Sequence, residues 1–183
     1  MNRTNFRLQL EKYRTPYEEE AEFIQSFLDL TEDPDAYKRE RLEGHFTASA
    51  WIVNRKRTHT LLTLHRKLGR WLQLGGHADG NENLLQVAMQ EATEESGLTS
   101  LAFVDETIFD LDKHIIPDRP HVPEHFHYDV RYILEADLSE TLLKSHESIS
   151  LAWVAFESVQ DVIGYNPSIL RMLEKTSKSE ILL

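Results

Sequence analysis

Three carboxylates carry the most pointed chemistry in this sequence: Glu91, Glu94 and Glu95, within "GGHADGNENLLQVAMQEATEESGL". Leu84, Leu85, Ala88 and Ala92 recur at helical spacing, so the acids fall in the last turn of an expected amphipathic helix. A helix end prefers Lys or Arg there, and Glu91 and Glu95 repel each other at i,i+4. The combined cost is on the order of several tenths of a kcal/mol, which a bound cation would offset. In projection Glu95 sits at the edge of the apolar stripe, where a partly desolvated carboxylate seeks a positive partner. The plain alternative, a solvated charge stripe, would point away from the core. Oxygen ligands clustered in this way suit Mg²⁺ or Mn²⁺ rather than zinc. Gly97 supplies the left-handed residue that ends the helix, and Gly75 with Gly76 lets the preceding loop bring its backbone close to a ligand.

The segment resembles the signature of the Nudix hydrolases, G-x(5)-E-x(7)-R-E-U-x-E-E-x-G-U with U an aliphatic residue. Gly76, Glu82, Glu91, Ala92, Glu94, Glu95, Gly97 and Leu98 fall in register, and the one defined position that departs is Gln90, where the family carries Arg. Gln90 can still donate a hydrogen bond, but without charge or a bidentate fork. Leu74 stands where many members have Pro. The resemblance covers Gly44 to about Gly164 and implies an α/β fold: a Nudix-type α/β/α sandwich with a mixed central sheet. It further implies hydrolysis of a diphosphate bond linking a nucleoside, or another group, to a substituent X, so the expected partner is a small phosphorylated substrate, a nucleotide derivative. Glu91 and Glu95, assisted by Glu94 and the Gly76 carbonyl, would hold Mg²⁺ or Mn²⁺, and one of these glutamates would deprotonate the attacking water. The family also draws its base from a later loop, where Glu147 is the candidate.

A second constellation lies in "DLDKHIIPDRPHVPEHFHYDVRY". His125, His127 and Asp129 alternate, so on a strand they share one face, while Phe126, Tyr128 and Val130 take the other. Together with Asp112 and His114 they could form a second metal site or a phosphate contact; a solvated strand face is the plain alternative. His77, directly after the glycine pair, could touch substrate or metal, or simply hydrogen-bond to backbone. Arg66, Lys67, Arg70 and Arg131 are candidate phosphate contacts or ordinary surface charges, and Glu82 joins the substrate candidates through its place in the signature.

Two other functions compete with hydrolysis. A non-catalytic module of the same fold, binding a nucleotide or a partner protein, is favoured by Gln90 but opposed by three clustered carboxylates that pure binding does not require. An isopentenyl-diphosphate-isomerase-like enzyme would suit the histidines, but that family uses a cysteine where this chain has Gly75, and the chain contains no cysteine.

The elements that must position these residues are legible in outline. "TPYEEEAEFIQSFLDL" reads as a helix with Thr15 as N-cap, Pro16 at its first position and Glu18 completing a capping box. "FTASAWIV" and "THTLLTLH", joined by "NRKR", read as a hairpin; "LAFVDETIFDL", "HFHYDVRYILEA" and "ISLAWVAF" read as further strands. "NPSILRMLEKT" should close the chain as a helix capped by Asn166. The expected organisation is an N-terminal helical extension (1–43), a catalytic domain (44–164) and a C-terminal helix packing on it (165–183).

The 183 residues suit one such core, and 40% hydrophobic with 28% charged residues fit a soluble globular protein. With no apolar h-region at the start and no run of about 20 apolar residues, a cytoplasmic location without membrane contact is expected. The net charge of −11 argues against strong nucleic-acid binding, since a long polyanion needs a basic surface. The N-terminal extension could pack across a homodimer as readily as onto its own domain.

Overall fold

A computed structural model describes residues 1–120 and 122–178. In chain order the elements are α1 (Arg3–Lys12), α2 (Glu18–Leu30), β1 (Gly44–Asn54), β2 (His59–His65), β3 (Arg70–Leu72), β4 (Leu74–His77), α3 (Leu84–Ser96), β5 (Ala102–Phe103), β6 (Asp110–Ile116), β7 (His125–Ala136), β8 (Ser148–Ala155), α4 (Val159–Ile163) and α5 (Pro167–Lys178). The expected α/β class with a mixed sheet is what the chain forms. Among the described residues no helix is long and apolar enough to cross a membrane.

Three local expectations are corrected. The helix expected from Thr15 begins at Glu18, with Tyr17 at the cap position and no side-chain cap. Thr15 is engaged elsewhere: its hydroxyl accepts from the Tyr17 amide at 3.2 Å and donates to the buried carboxylate of Glu20. Helix α1 was not anticipated, because only Phe6 and Leu10 anchor it, too few apolar residues for a periodic signal. "LAFVDETIFDL" forms two strands rather than one. Asp105 breaks it, its side chain accepting from the Thr107 amide at 2.9 Å in a local turn that competes with the ladder. The C-terminal helix starts as expected, with the Ile169 amide donating to Asn166 Oδ1 at 3.3 Å.

The chain divides into two compact units. The first comprises Met1–Ser49, Gly75–Gln90 and Asp105–Tyr132. Its core is aromatic: Phe6 meets Phe46 edge-on at 5.3 Å, Tyr37 lies 5.0 Å from Phe46, and Phe27 packs on Tyr128 at 5.3 Å. The N-terminal helices therefore supply core side chains to this unit. Within it β6 and β7 pair antiparallel, from Asp110 opposite Arg131 to Ile116 opposite His125. Buried Glu20 ties α2 to this ladder by accepting from the Leu111 amide at 2.9 Å.

The second unit comprises Ala50–Leu74, Glu91–Val104 and Ile133–Leu183. Here β2 is central, pairing antiparallel with β1, β3 and β8. Trp51, Leu61 and Leu62 are fully buried, and the Trp51 indole donates to Thr176 Oγ1 on α5 at 2.8 Å. That bond satisfies the polar edge of a large buried ring and fixes the angle at which α5 lies.

Candidate active site

Helix α3 presents the carboxylates as its periodicity predicts. Leu84, Val87, Ala88 and Ala92 are buried, while Leu85, at the margin of that stripe, is half-buried. Glu95 is only 7% exposed, Glu91 is half-buried and Glu94 is exposed, so the acids climb from the edge of the core to solvent. No basic residue occupies the last turn, and three carboxylates at i, i+3 and i+4 give a hard, all-oxygen donor set that fits Mg²⁺ or Mn²⁺. The helix stops at Gly97, whose φ of +69° few side chains tolerate, and whose amide donates to the Thr93 carbonyl at 2.8 Å. Gln90 is exposed.

Gly75 has a packing reason of its own. A Cβ at position 75 would fall 2.3 Å from Ser49 Oγ and 2.7 Å from the Ala48 carbonyl oxygen, so Gly75 is required for backbone packing against β1. Gly76 and His77 follow in β4, both half-buried.

The β6–β7 register brings the second constellation together. Asp112 stands opposite Asp129 and His114 opposite His127, so these side chains share one face with His125. Two of the expected ligands are committed to another task. Arg131, 2% exposed, bonds Asp129 at 2.8 Å, Asp112 at 3.0 Å and Asp110 at 3.2 Å. Despite the burial that opposes it, these carboxylates hold the guanidinium charged and push its pKa further up. Asp129 also accepts from Thr47 at 3.0 Å and Ser49 at 2.8 Å. Arg131 is thus corrected from a substrate contact to the centre of a buried ion cluster, and Asp112 and Asp129 from metal or phosphate ligands to its partners.

The histidines above that cluster converge. His45 lies 5.2 Å from His77, 5.0 Å from His127 and 5.2 Å from His125, ring centre to ring centre, and His77 lies 5.0 Å from His127. His114 is 5.5 Å from His127 and bonds Asp112 through Nδ1 at 2.9 Å. Burial disfavours the charged imidazolium here, lowering His77 to about 4 and His127 to about 2, with His45 lowered as well. His45 was not among the residues expected at this site. Within β1, His45, Thr47 and Ser49 alternate with Phe46, Ala48 and Ala50, and all six are buried, so the alternation alone did not mark His45. Polar residues facing inward on a core strand need partners, which here are Asp129 and the neighbouring rings.

The Arg66 guanidinium donates to the carbonyls of His146 at 2.9 Å and Ser148 at 3.1 Å, which fastens the turn before β8. Glu82 pairs with Arg3 at 2.8 Å. Arg70 and Glu147 are exposed.

The family model for the NUDIX domain matches residues 44–175. The chain belongs to the Nudix family, and is accordingly an enzyme of the Nudix pyrophosphohydrolase type, acting on phosphorus-containing acid anhydrides. Among solved structures it resembles a Nudix-family hydrolase from Clostridium perfringens, at 27% identity over 73% of this chain and 96% of that one, TM-score 0.55. It also resembles an Ap4A hydrolase from C. elegans in a binary complex, at 18% identity over 72% of this chain and 94% of that one, TM-score 0.58. A third similar structure is the E. coli dihydroneopterin triphosphate pyrophosphohydrolase, at 16% identity over 76% and 96%, TM-score 0.54. No curated protein sequence matches the chain.

Proposed function

We propose that the enzyme cleaves the diphosphate bond of a nucleoside diphosphate joined to a second moiety, using Mg²⁺ or Mn²⁺ held by Glu91, Glu94 and Glu95. The observation that carries this reading is Glu95, a carboxylate only 7% exposed that closes α3 beside two more acids with no basic residue in the turn. When bound, the divalent ions supply positive charge that screens phosphate oxygens and lowers the pKa of water. Glu91 and Glu95 orient the attacking water, and one of them accepts its proton; removing a general base costs roughly 10²–10⁴-fold in rate. Gln90 offers the neighbouring acid a neutral hydrogen bond in place of a guanidinium fork, which predicts looser orientation and a slower enzyme than its relatives. The similar structures named for Ap4A and for dihydroneopterin triphosphate support a phosphoanhydride as the bond broken and leave the organic moiety to experiment.

The test is a panel of nucleotide sugars, dinucleoside polyphosphates and nucleoside triphosphates, scored for released phosphate or nucleoside monophosphate with Mg²⁺ or Mn²⁺. Turnover of at least one compound, lost in Glu95→Gln at unchanged folding, is the expected result. Turnover that survives Glu95→Gln would overturn the assignment of the carboxylates. No turnover, with nucleotide binding insensitive to Glu95, would favour a binding module.

A further inference from the structure

We propose that His45, His77 and His127 form a binding site for a borderline transition-metal dication, Zn²⁺ foremost, whose ligand set shares no residue with the carboxylates of α3. One ring nitrogen from each lies within 4.8 Å of the other two. The hydrogen bonding shows which atoms are available. His45 Nδ1 is 3.2 Å from the Arg41 carbonyl oxygen, which can only accept. Nδ1 therefore carries the hydrogen and Nε2 the lone pair. That Nε2 is buried without a partner in a residue 2% exposed, and His127 Nε2 is buried without a partner as well. Leaving such a group unsatisfied is costly, and here two of them sit in rings 5.0 Å apart. A cation bound to both nitrogens, with His127 as its Nδ1–H tautomer, resolves the pair at once.

The surroundings match the ion. A metal-bound histidine characteristically donates its other N–H to a carbonyl or carboxylate, and the bond from His45 to Arg41 is of that kind. Burial keeps the rings neutral, as ligands must be. On the same strand face, Asp110, Asp112 and Asp129 stand against the single guanidinium of Arg131, leaving net negative charge below the rings. Neutral imidazoles without thiolate or free carboxylate suit zinc better than magnesium. Tetrahedral ligands at about 2.0–2.1 Å from zinc lie roughly 3.3 Å apart, so closing the site takes side-chain rotations on the order of 1 Å. Three protein ligands leave a fourth position for water or an anionic oxygen.

The inference stands apart from the catalytic reading, and one experiment separates them. Full-length protein without a histidine tag is stripped with chelator, then titrated with Zn²⁺, and with Co²⁺ as a coloured probe, in excess Mg²⁺. The expected result is one retained equivalent with the visible absorption of tetrahedral cobalt. His77→Gln and His127→Gln should each weaken zinc binding by about 10- to 100-fold or more, while Glu95→Gln and the exposed His146→Gln leave it intact. X-ray absorption of the zinc-loaded native protein, which needs no variant to fold, should show nitrogen ligation dominated by imidazole. Absence of a retained equivalent, an oxygen-dominated spectrum, or binding lost in Glu95→Gln but kept in the histidine variants would overturn the site. Loss of hydrolysis in Glu95→Gln with zinc retained would leave both claims standing; hydrolysis insensitive to Glu95 with zinc retained would remove only the catalytic one.

Discussion

The end of α3 and the face shared by β1, β4, β6 and β7 assemble charged and metal-compatible groups by opposite means. On α3 one run of sequence does everything: three acids within little more than one helical turn, at the border of core and solvent, with no basic residue of the helix in that turn. On the strands the groups come from four separated segments, are largely buried, and the three carboxylates gather around the single guanidinium of Arg131. On α3 the acids share one helix end that straddles core and solvent, whereas on the strands one buried guanidinium holds three carboxylates together.

The comparison can be broken most sharply at Arg131. Arg131→Met leaves three buried carboxylates facing one another, and should destabilise the fold by about 3–5 kcal/mol in urea or guanidinium denaturation. An effect below about 1 kcal/mol would mean that the cluster is not held by that charge. Gly75→Ala forces a Cβ against Ser49, which itself donates to Asp129. Overpacking of this kind costs about 1–3 kcal/mol, and the thermal midpoint should fall accordingly; an unchanged midpoint would show that β1 and β4 yield easily. At the end of α3, Gly97→Ala would hold a side chain at a φ of +69° with its Cβ 2.6 Å from Leu143 Cβ, and should cost about 1–2 kcal/mol in thermal or denaturant unfolding. An unchanged midpoint would show that the helix end and the Leu143 side chain yield easily.

The smallest effect concerns the loop after α3. Glu140 accepts from the amides of Thr99 and Ser100, and its carboxyl is lowered from 4.5 to about 2, chiefly by Ser100 and then Thr99. A depressed folded-state value means that this contribution is present above about 4.5 and lost as pH falls toward about 2. The stability difference between native protein and Glu140→Gln should shrink over that window, and a difference independent of pH would count against the bond.

The legibility of the two regions differs for the same reason. Glu91, Glu94, Glu95 and Gly97 lie within one helical turn and its cap, so local spacing alone defined their positions, and the burial of Glu95 followed from a projection. The strand face could be half read: alternation placed His125, His127 and Asp129 together, but only the pairing register brings in His114 and Asp112. His45 and Asp110 required knowing which strands are neighbours, a long-range fact that no local pattern carries. Arg131 and Asp129 lie two apart on one face, yet nothing local says whether such charges meet solvent or each other; burial decided it. The N-terminal helices were half-legible for a related reason, since α1 gains its stability from packing Phe6 against Phe46, forty residues away.

The central claim is that the carboxylates ending α3 bind the divalent ions used in hydrolysis. Its most direct test is manganese binding, followed by electron paramagnetic resonance on the metal-stripped protein, for the native chain, Glu91→Gln with Glu95→Gln combined, and His127→Gln. Saturable binding in the native protein, weakened by two orders of magnitude or more in the double variant and unchanged in His127→Gln, is the predicted result. Manganese binding that survives loss of both glutamates would contradict the account.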